Sequence, residues 1–167
     1  MSSNTEQHVD PEHRILVLGV GNSILKDEGF GVKVVEELEA RREELGIPSY
    51  VDIVDGATLG LDLLYYIGGR DKVIMLDVVN AGEPAGTRFR FTAQDIKTKV
   101  LTKVSMHQVT LFDVLTMAEL SGRMPAEAII IGIQPAEIEW GLELTPTIAA
   151  QIPRVIELVM KEIEESE

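Results

Sequence analysis

The sequence predicts one α/β domain: a three-layer α/β/α sandwich built on a mostly parallel twisted sheet of about five strands, with an antiparallel edge strand. Three observations lead there. A continuous apolar run ended by glycines occurs at Arg14–Gly21, the pattern of a strand buried on both faces, and YVDIVD (Tyr50–Asp55) and DKVIMLDVV (Asp71–Val79) read as further strands. Stretches of helical period separate them, and alternation of strand with helix implies parallel pairing through right-handed crossovers. The length of 167 residues suits a single core.

Each element has its own warrant. Residues 1–13 show no periodic apolar pattern and contain Pro11, so they read as a flexible N-terminal extension to a single domain at 14–167. His8 and His13 lie in that extension. From Asp27 to Leu45 a helix is expected, with Phe30, Val34, Val35, Leu38 and Leu45 on one side and Glu36, Glu37, Glu39, Arg41 and Arg42 on the other. Leu59–Ile67 reads as a second helix. After the turn Gly82–Gly86, TRFRFT alternates apolar with polar residues, which suits an edge strand with one wet face. The short connection makes that strand antiparallel. Ser105 and Gln108 have capping-box spacing for a helix from Met106 to about Leu120. A last strand at Ala128–Gly132 and a helix from Pro146 complete the domain. The closing KEIEESE reads as a solvated helix end.

Composition removes whole classes of function. With 28 acidic and 15 basic residues the net charge is −13, which repels nucleic-acid backbones and anionic lipid. Cysteine is absent, so disulfides, thiolate metal sites and cysteine nucleophiles are excluded together. No stretch approaches the ~20 apolar residues that span a bilayer, and the polar start is unlike a signal peptide. The cytoplasm is the expected location. Acidic self-repulsion and a complete domain favour a monomer.

In an open parallel sheet the binding crevice lies at the carboxyl ends of the strands. Four polar residues are expected there: Glu28 after the first strand and its loop, Asp55 ending the second strand, Asp77 inside the third, and His107 opening a helix. Glu28, Asp55 and Asp77 are the candidate catalytic carboxylates. Glu28, Asp77 and His107 form a candidate three-donor oxygen and nitrogen metal site with open positions, chemically suited to zinc, cadmium or nickel and to metal-assisted hydrolysis. Each has a plainer reading. Glu28 suits a helix dipole, Asp55-Gly56 is a common turn pair, and His107 could be a merely exposed residue. Asp77 is harder to explain away, because an acid within VIMLDVV must be satisfied once the strand is buried. Other patterns fail: there is no nucleophile elbow, no HExxH and no Lys-Ser or Lys-Thr phosphate loop. Gly19 and Gly21 start a dinucleotide fingerprint, but Ile24 occupies its third glycine position.

With these residues in place the sequence resembles the hydrogenase maturation endopeptidases. The resemblance runs from Arg14 to about Glu162. It rests on LVLGVGN leading into KDEGFGV, the DGAT loop, the Asp77 strand, SMHQ at 105–108, GIQP at 132–135 and EWGLELTP at 139–146. It implies that Glu28, Asp77 and His107 engage a metal, and that the substrate is a nickel-loaded [NiFe]-hydrogenase large-subunit precursor. The C-terminal extension of that precursor would be cut off after its metal-binding motif. Nickel would then be substrate-borne, with zinc or cadmium able to occupy the site in vitro. An aspartic-type mechanism without metal is also open, as is the identity of the base that deprotonates water. The chain departs from the family at Ala57, where many relatives carry a second glycine after Gly56. Two other classes compete: a non-catalytic nickel-binding accessory protein docking on the same precursor, and a nucleotide-binding domain using GVGN.

Overall fold

Apolar runs that cannot remain in water pair here into one five-stranded sheet. The computed structural model of the protein describes residues 14–57, 60–95 and 111–166. Its strands are β1 (Ile15–Val20), β2 (Val51–Ala57), β3 (Lys72–Val78), β4 (Arg88–Thr92) and β5 (Glu127–Ile133), in the order β2-β1-β3-β5-β4. β1, β2, β3 and β5 are parallel, and β4 closes the edge antiparallel to β5. This is the expected fold class. β1 and β3 are buried along their whole length, as central strands covered on both faces must be. β4 alternates exposed Arg88 and Arg90 with partly buried Phe89 and Phe91.

Side-chain alternation along β1 defines the layers. Ile15 and Val17 pack with Phe30, Val34 and Leu38 of α1 (Phe30–Ala40) and with Val155 and Val159 of a C-terminal helix at Ile152–Glu164. Leu16 and Leu18 point the other way, towards Leu63 and Ile67 and towards Val114 and Ala118 of a helix at Leu111–Leu120.

The helices are more broken than the periodicity predicts. Instead of one helix over 27–45 there is a 3-10 turn at Lys26–Gly29, then α1, then the single turn α2 (Arg42–Leu45). The expected helix over Leu59–Ile67 is a 3-10 turn at Gly60–Leu63 followed by α3 (Leu64–Ile67), with Leu59 itself outside the described residues. The helix ending at Leu120 is described from Leu111 as α4, so its capping box lies outside the described residues. The helix from Pro146 divides into α5 (Pro146–Ala149) and α6 (Ile152–Glu164). Pro153 lies in the first turn of α6, where its missing N–H costs nothing, and it cannot donate back to the carbonyl of Ala149.

At the amino end of the sheet, α6 is fastened by buried charge. Lys72 Nζ donates to Glu162 Oε2 and to the Glu162 carbonyl, each at 2.8 Å, and Arg90 pairs with the other Glu162 oxygen.

Candidate functional site

The chain passes from β1 to β2 on one side of the sheet and through β3 to β5 and β4 on the other. The order reverses between β1 and β3, and a crevice forms beyond their carboxyl ends at such a switch point. Glycines let the backbone close around it. A Cβ on Gly31 would sit 2.2 Å from the Leu76 carbonyl oxygen and 2.6 Å from that of Val20. The start of α1 is therefore seated directly on the ends of β1 and β3.

Gly21 lies beside two of the residues expected there. It has φ +140°, a conformation open to glycine and rare for other residues. A Cβ there would lie 1.9 Å from the Glu28 carbonyl oxygen and 3.9 Å from Asp77 Oδ1. Glu28 is 5% exposed and Asp77 2% exposed. Asp77 Oδ1 accepts from the backbone N–H of Val78 at 2.8 Å. Gly21 thus lies against the Glu28 backbone and the Asp77 carboxylate, two buried acids 49 positions apart in the chain. Their all-oxygen donor set fits a divalent cation if a third donor joins them.

Asp55 faces elsewhere. On β2 it pairs with Gly19 of β1 and shares its face with Ile53, lining a groove with Val35 and Glu36 of α1. Asp77 belongs with Val73 and Met75 on the opposite face of the sheet, the α3 and α4 side. Asp55 is exposed, and its Oδ1 accepts from the Ala57 N–H at 2.8 Å. That bond closes a turn in which Ala57 has φ +40°. Gly21 N–H then donates to the Ala57 carbonyl at 2.9 Å, so the turn after β2 braces the Gly21 loop. His107 lies outside the described residues, and among the described residues no cluster of three metal-ligating side chains occurs.

Two residues not singled out as site candidates organise the rim. Asp27 is fully buried, and its oxygens accept from the backbone N–H groups of Ala136, Glu137 and Thr145 and from the Thr145 hydroxyl, at 2.8–3.0 Å. Beside it, Lys26 pairs with Glu137 at 2.6 Å and with Glu139. The hydrogen bonds to Glu137 and then Glu139 hold Lys26 protonated well above the ordinary lysine range, while the Lys26 bond lowers Glu139. The turn that carries Glu28 is therefore tied to the loop after β5. Gln134, 6% exposed, does the same for the loop after β3. Its Oε1 accepts from Ala81 N–H at 2.8 Å, and its Nε2 donates to Asn80 Oδ1 at 3.1 Å. Both residues stand in the quoted motifs KDEGFGV and GIQP, which was the available signal.

Comparison with known proteins gives a consistent result. A family model described as "Hydrogenase maturation protease" matches residues 32–162. The chain is 38% identical over 154 residues to the hydrogenase 2 maturation protease of Escherichia coli (strain K12), covering 92% of each chain. It is 38% identical over 157 residues to the hydrogenase expression/formation protein HupD of Bradyrhizobium diazoefficiens, covering 92% of this chain and 80% of that one. Among solved structures, the hydrogenase maturating endopeptidase HybD from E. coli superposes with a TM-score of 0.81 at 36% identity, covering 92% of this chain and 93% of that one. The [NiFe] hydrogenase maturation protease HybD from Thermococcus kodakarensis gives 0.75 at 25% identity, with 90% and 99% covered.

Proposed function

The chain belongs to the hydrogenase maturation protease family, and on that premise we propose that it cuts the C-terminal extension from a nickel-loaded [NiFe]-hydrogenase large-subunit precursor in the cytoplasm. The endopeptidase role in hydrogenase maturation comes with the family. The observation that supports the finer reading is that two buried acids, Glu28 through its backbone and Asp77 through its carboxylate, lie beside Gly21 at the switch point.

In this reading Glu28, Asp77 and His107 engage nickel already seated in the substrate, and zinc or cadmium can take its place in vitro. The bound nickel supplies a positive anchor that fixes the precursor's tail relative to the crevice. Such fixation lowers the barrier by converting an encounter into a positioned reaction. Water attacks the scissile carbonyl, its proton goes to a carboxylate, and the C–N bond breaks as the leaving nitrogen is protonated. Asp77 suits the role of base because it is a buried carboxylate at the carboxyl end of β3, with its Oδ1 close to the Gly21 loop. Asp55 contributes through the turn it closes at Ala57.

Intact mass spectrometry tests this. Nickel-loaded precursor is incubated with wild type, Asp77→Asn or His107→Ala, and nickel-free precursor with wild type. Loss of one defined C-terminal peptide is expected only with wild type and nickel. Cleavage that persists with His107→Ala, and with nickel-free precursor and wild type, would favour a metal-free aspartic mechanism. Binding without any cleavage would favour the accessory-protein reading.

A further inference from the structure

The crevice is flanked by an apolar platform that the chemistry of cleavage does not use. The loop Asn22–Gly29 and the loop after β5 meet at a parallel bridge between Leu25 and Gly141. Gly141 N–H donates to the Ile24 carbonyl at 3.0 Å, and Lys26 N–H donates to the Gly141 carbonyl at 3.0 Å. This register sets Ile24 alongside Trp140. Ile24 is 43%, Trp140 78% and Leu142 70% exposed. Large apolar side chains gathered on one surface mark interaction sites more often than chance exposure.

Two features show that this exposure is held in place. The ion pairs of Lys26 with Glu137 and Glu139 fasten one flank of Trp140, and the four donors to Asp27 fasten the loop at both its ends, Ala136 and Thr145. A loop so fixed presents Trp140 without an ordering cost on binding, which favours affinity. The surface is also acidic. Leu142 and Leu144 border an open groove of about 560 Å³, where Glu36, Glu37 and Glu143 face a single lysine, Lys33.

We propose that Ile24, Trp140 and Leu142 form the docking platform for the folded body of the large-subunit precursor, received through an apolar patch ringed by lysine or arginine. The inference rests on the precursor being the substrate. It adds where that protein is held while its tail enters the crevice. Continuity selects this occupant: Ile24 is four residues from Glu28 on the same tied loop. Trp140 is the anchor, since tryptophan dominates the energetics of such surfaces.

The experiment measures equilibrium binding of nickel-loaded precursor, together with KM and kcat for its cleavage, for the full chain and for Trp140→Ser and Glu143→Lys. Truncating a central tryptophan is expected to weaken binding and raise KM by about tenfold or more, with kcat within about twofold and the melting temperature unchanged. Glu143→Lys is expected to weaken binding less and to flatten its salt dependence. Wild type that binds without cleaving would sink the peptidase reading, yet the platform stands if Trp140→Ser still weakens that binding. Equal affinity of wild type and Trp140→Ser, or no binding by wild type, overturns the platform. So does sedimentation showing a dimer of the enzyme alone that Trp140→Ser dissolves.

Discussion

At the scale of single residues, Asp27 shows how a buried charge shapes a site without touching the chemistry. Its two oxygens meet four donors from a loop 109 to 118 residues further along the chain. Asn would keep the shape but turn an amide NH₂ towards donors, leaving N–H groups buried without an acceptor. Such a loss costs about 1–3 kcal/mol. Asp27→Asn should therefore lower the unfolding free energy read from urea denaturation by that amount, and kcat should fall as the Glu28 turn and the loop after β5 lose their tie. Unchanged stability in the variant would contradict the bonding described. The sequence displays Asp27 only as an acid opening a helix, because local patterns carry no record of partners so distant. Glu28 and Asp77 were legible, since an acid inside an apolar strand and an acid after the first strand loop follow from strand order alone. The facing of Asp55 was not, because it depends on which helix covers which side of the sheet. Ala57 was readable as a departure from glycine, and its φ of +40° is the strained geometry that this departure implies.

At the scale of elements, β1, β3 and β5 were legible because burial on two faces leaves an unbroken apolar record, and β4 because its alternation left an equally plain one. β2, an outer strand only partly buried, was legible from its place between helical stretches. Helix continuity was not. A 3-10 turn and an α-helical turn share nearly the same apolar spacing, and the break before α1 is imposed by bonds to a distant loop. One inter-element contact dominates the far end of the sheet. Burial pushes the Glu162 carboxyl up, but the hydrogen bonds from Arg90 and Lys72 outweigh it and hold the group below the ordinary glutamate range. A depressed folded value stabilises the protein at pH above the unfolded value, and that stability disappears as pH falls through the folded one. Glu162→Gln leaves buried Lys72 with only its longer pairing to the exposed Glu127 carboxylate at 3.7 Å and should cost about 3 kcal/mol at neutral pH. Its denaturation midpoint should also fall less steeply than that of wild type as the solution is acidified below the ordinary glutamate range. A variant with the same acid limb as wild type would show that the Glu162 lock does not set it.

At the scale of the whole molecule, the net charge of −13 and the absence of cysteine act together. The fold has no covalent cross-links to resist self-repulsion, so its boundaries must be set by the sheet and its burial. The first strand provides that boundary. Arg14 supplies the carbonyl that accepts from Asp71 N–H at 2.9 Å and from Lys72 N–H at 3.3 Å, and Ile15 pairs with both Val51 and Lys72. Removing residues 1–13 keeps each of these bonds and every described member of both core clusters, which among the described residues begin at Ile15 and Leu16. The truncated chain should melt within about 2 °C of the full chain, the effect of less than 1 kcal/mol in a domain of this size, and should cleave precursor at the same rate. Extending the deletion through Ile15 removes a core side chain from the central strand together with the Arg14 carbonyl, and should cost about 3 kcal/mol or more. Thermal melts and cleavage rates of the two truncations, taken side by side, check both statements. A marked loss of cleavage on removing residues 1–13 alone would give the N-terminal segment a part in holding the precursor, and the platform at Trp140 would then be only one portion of the surface that does so.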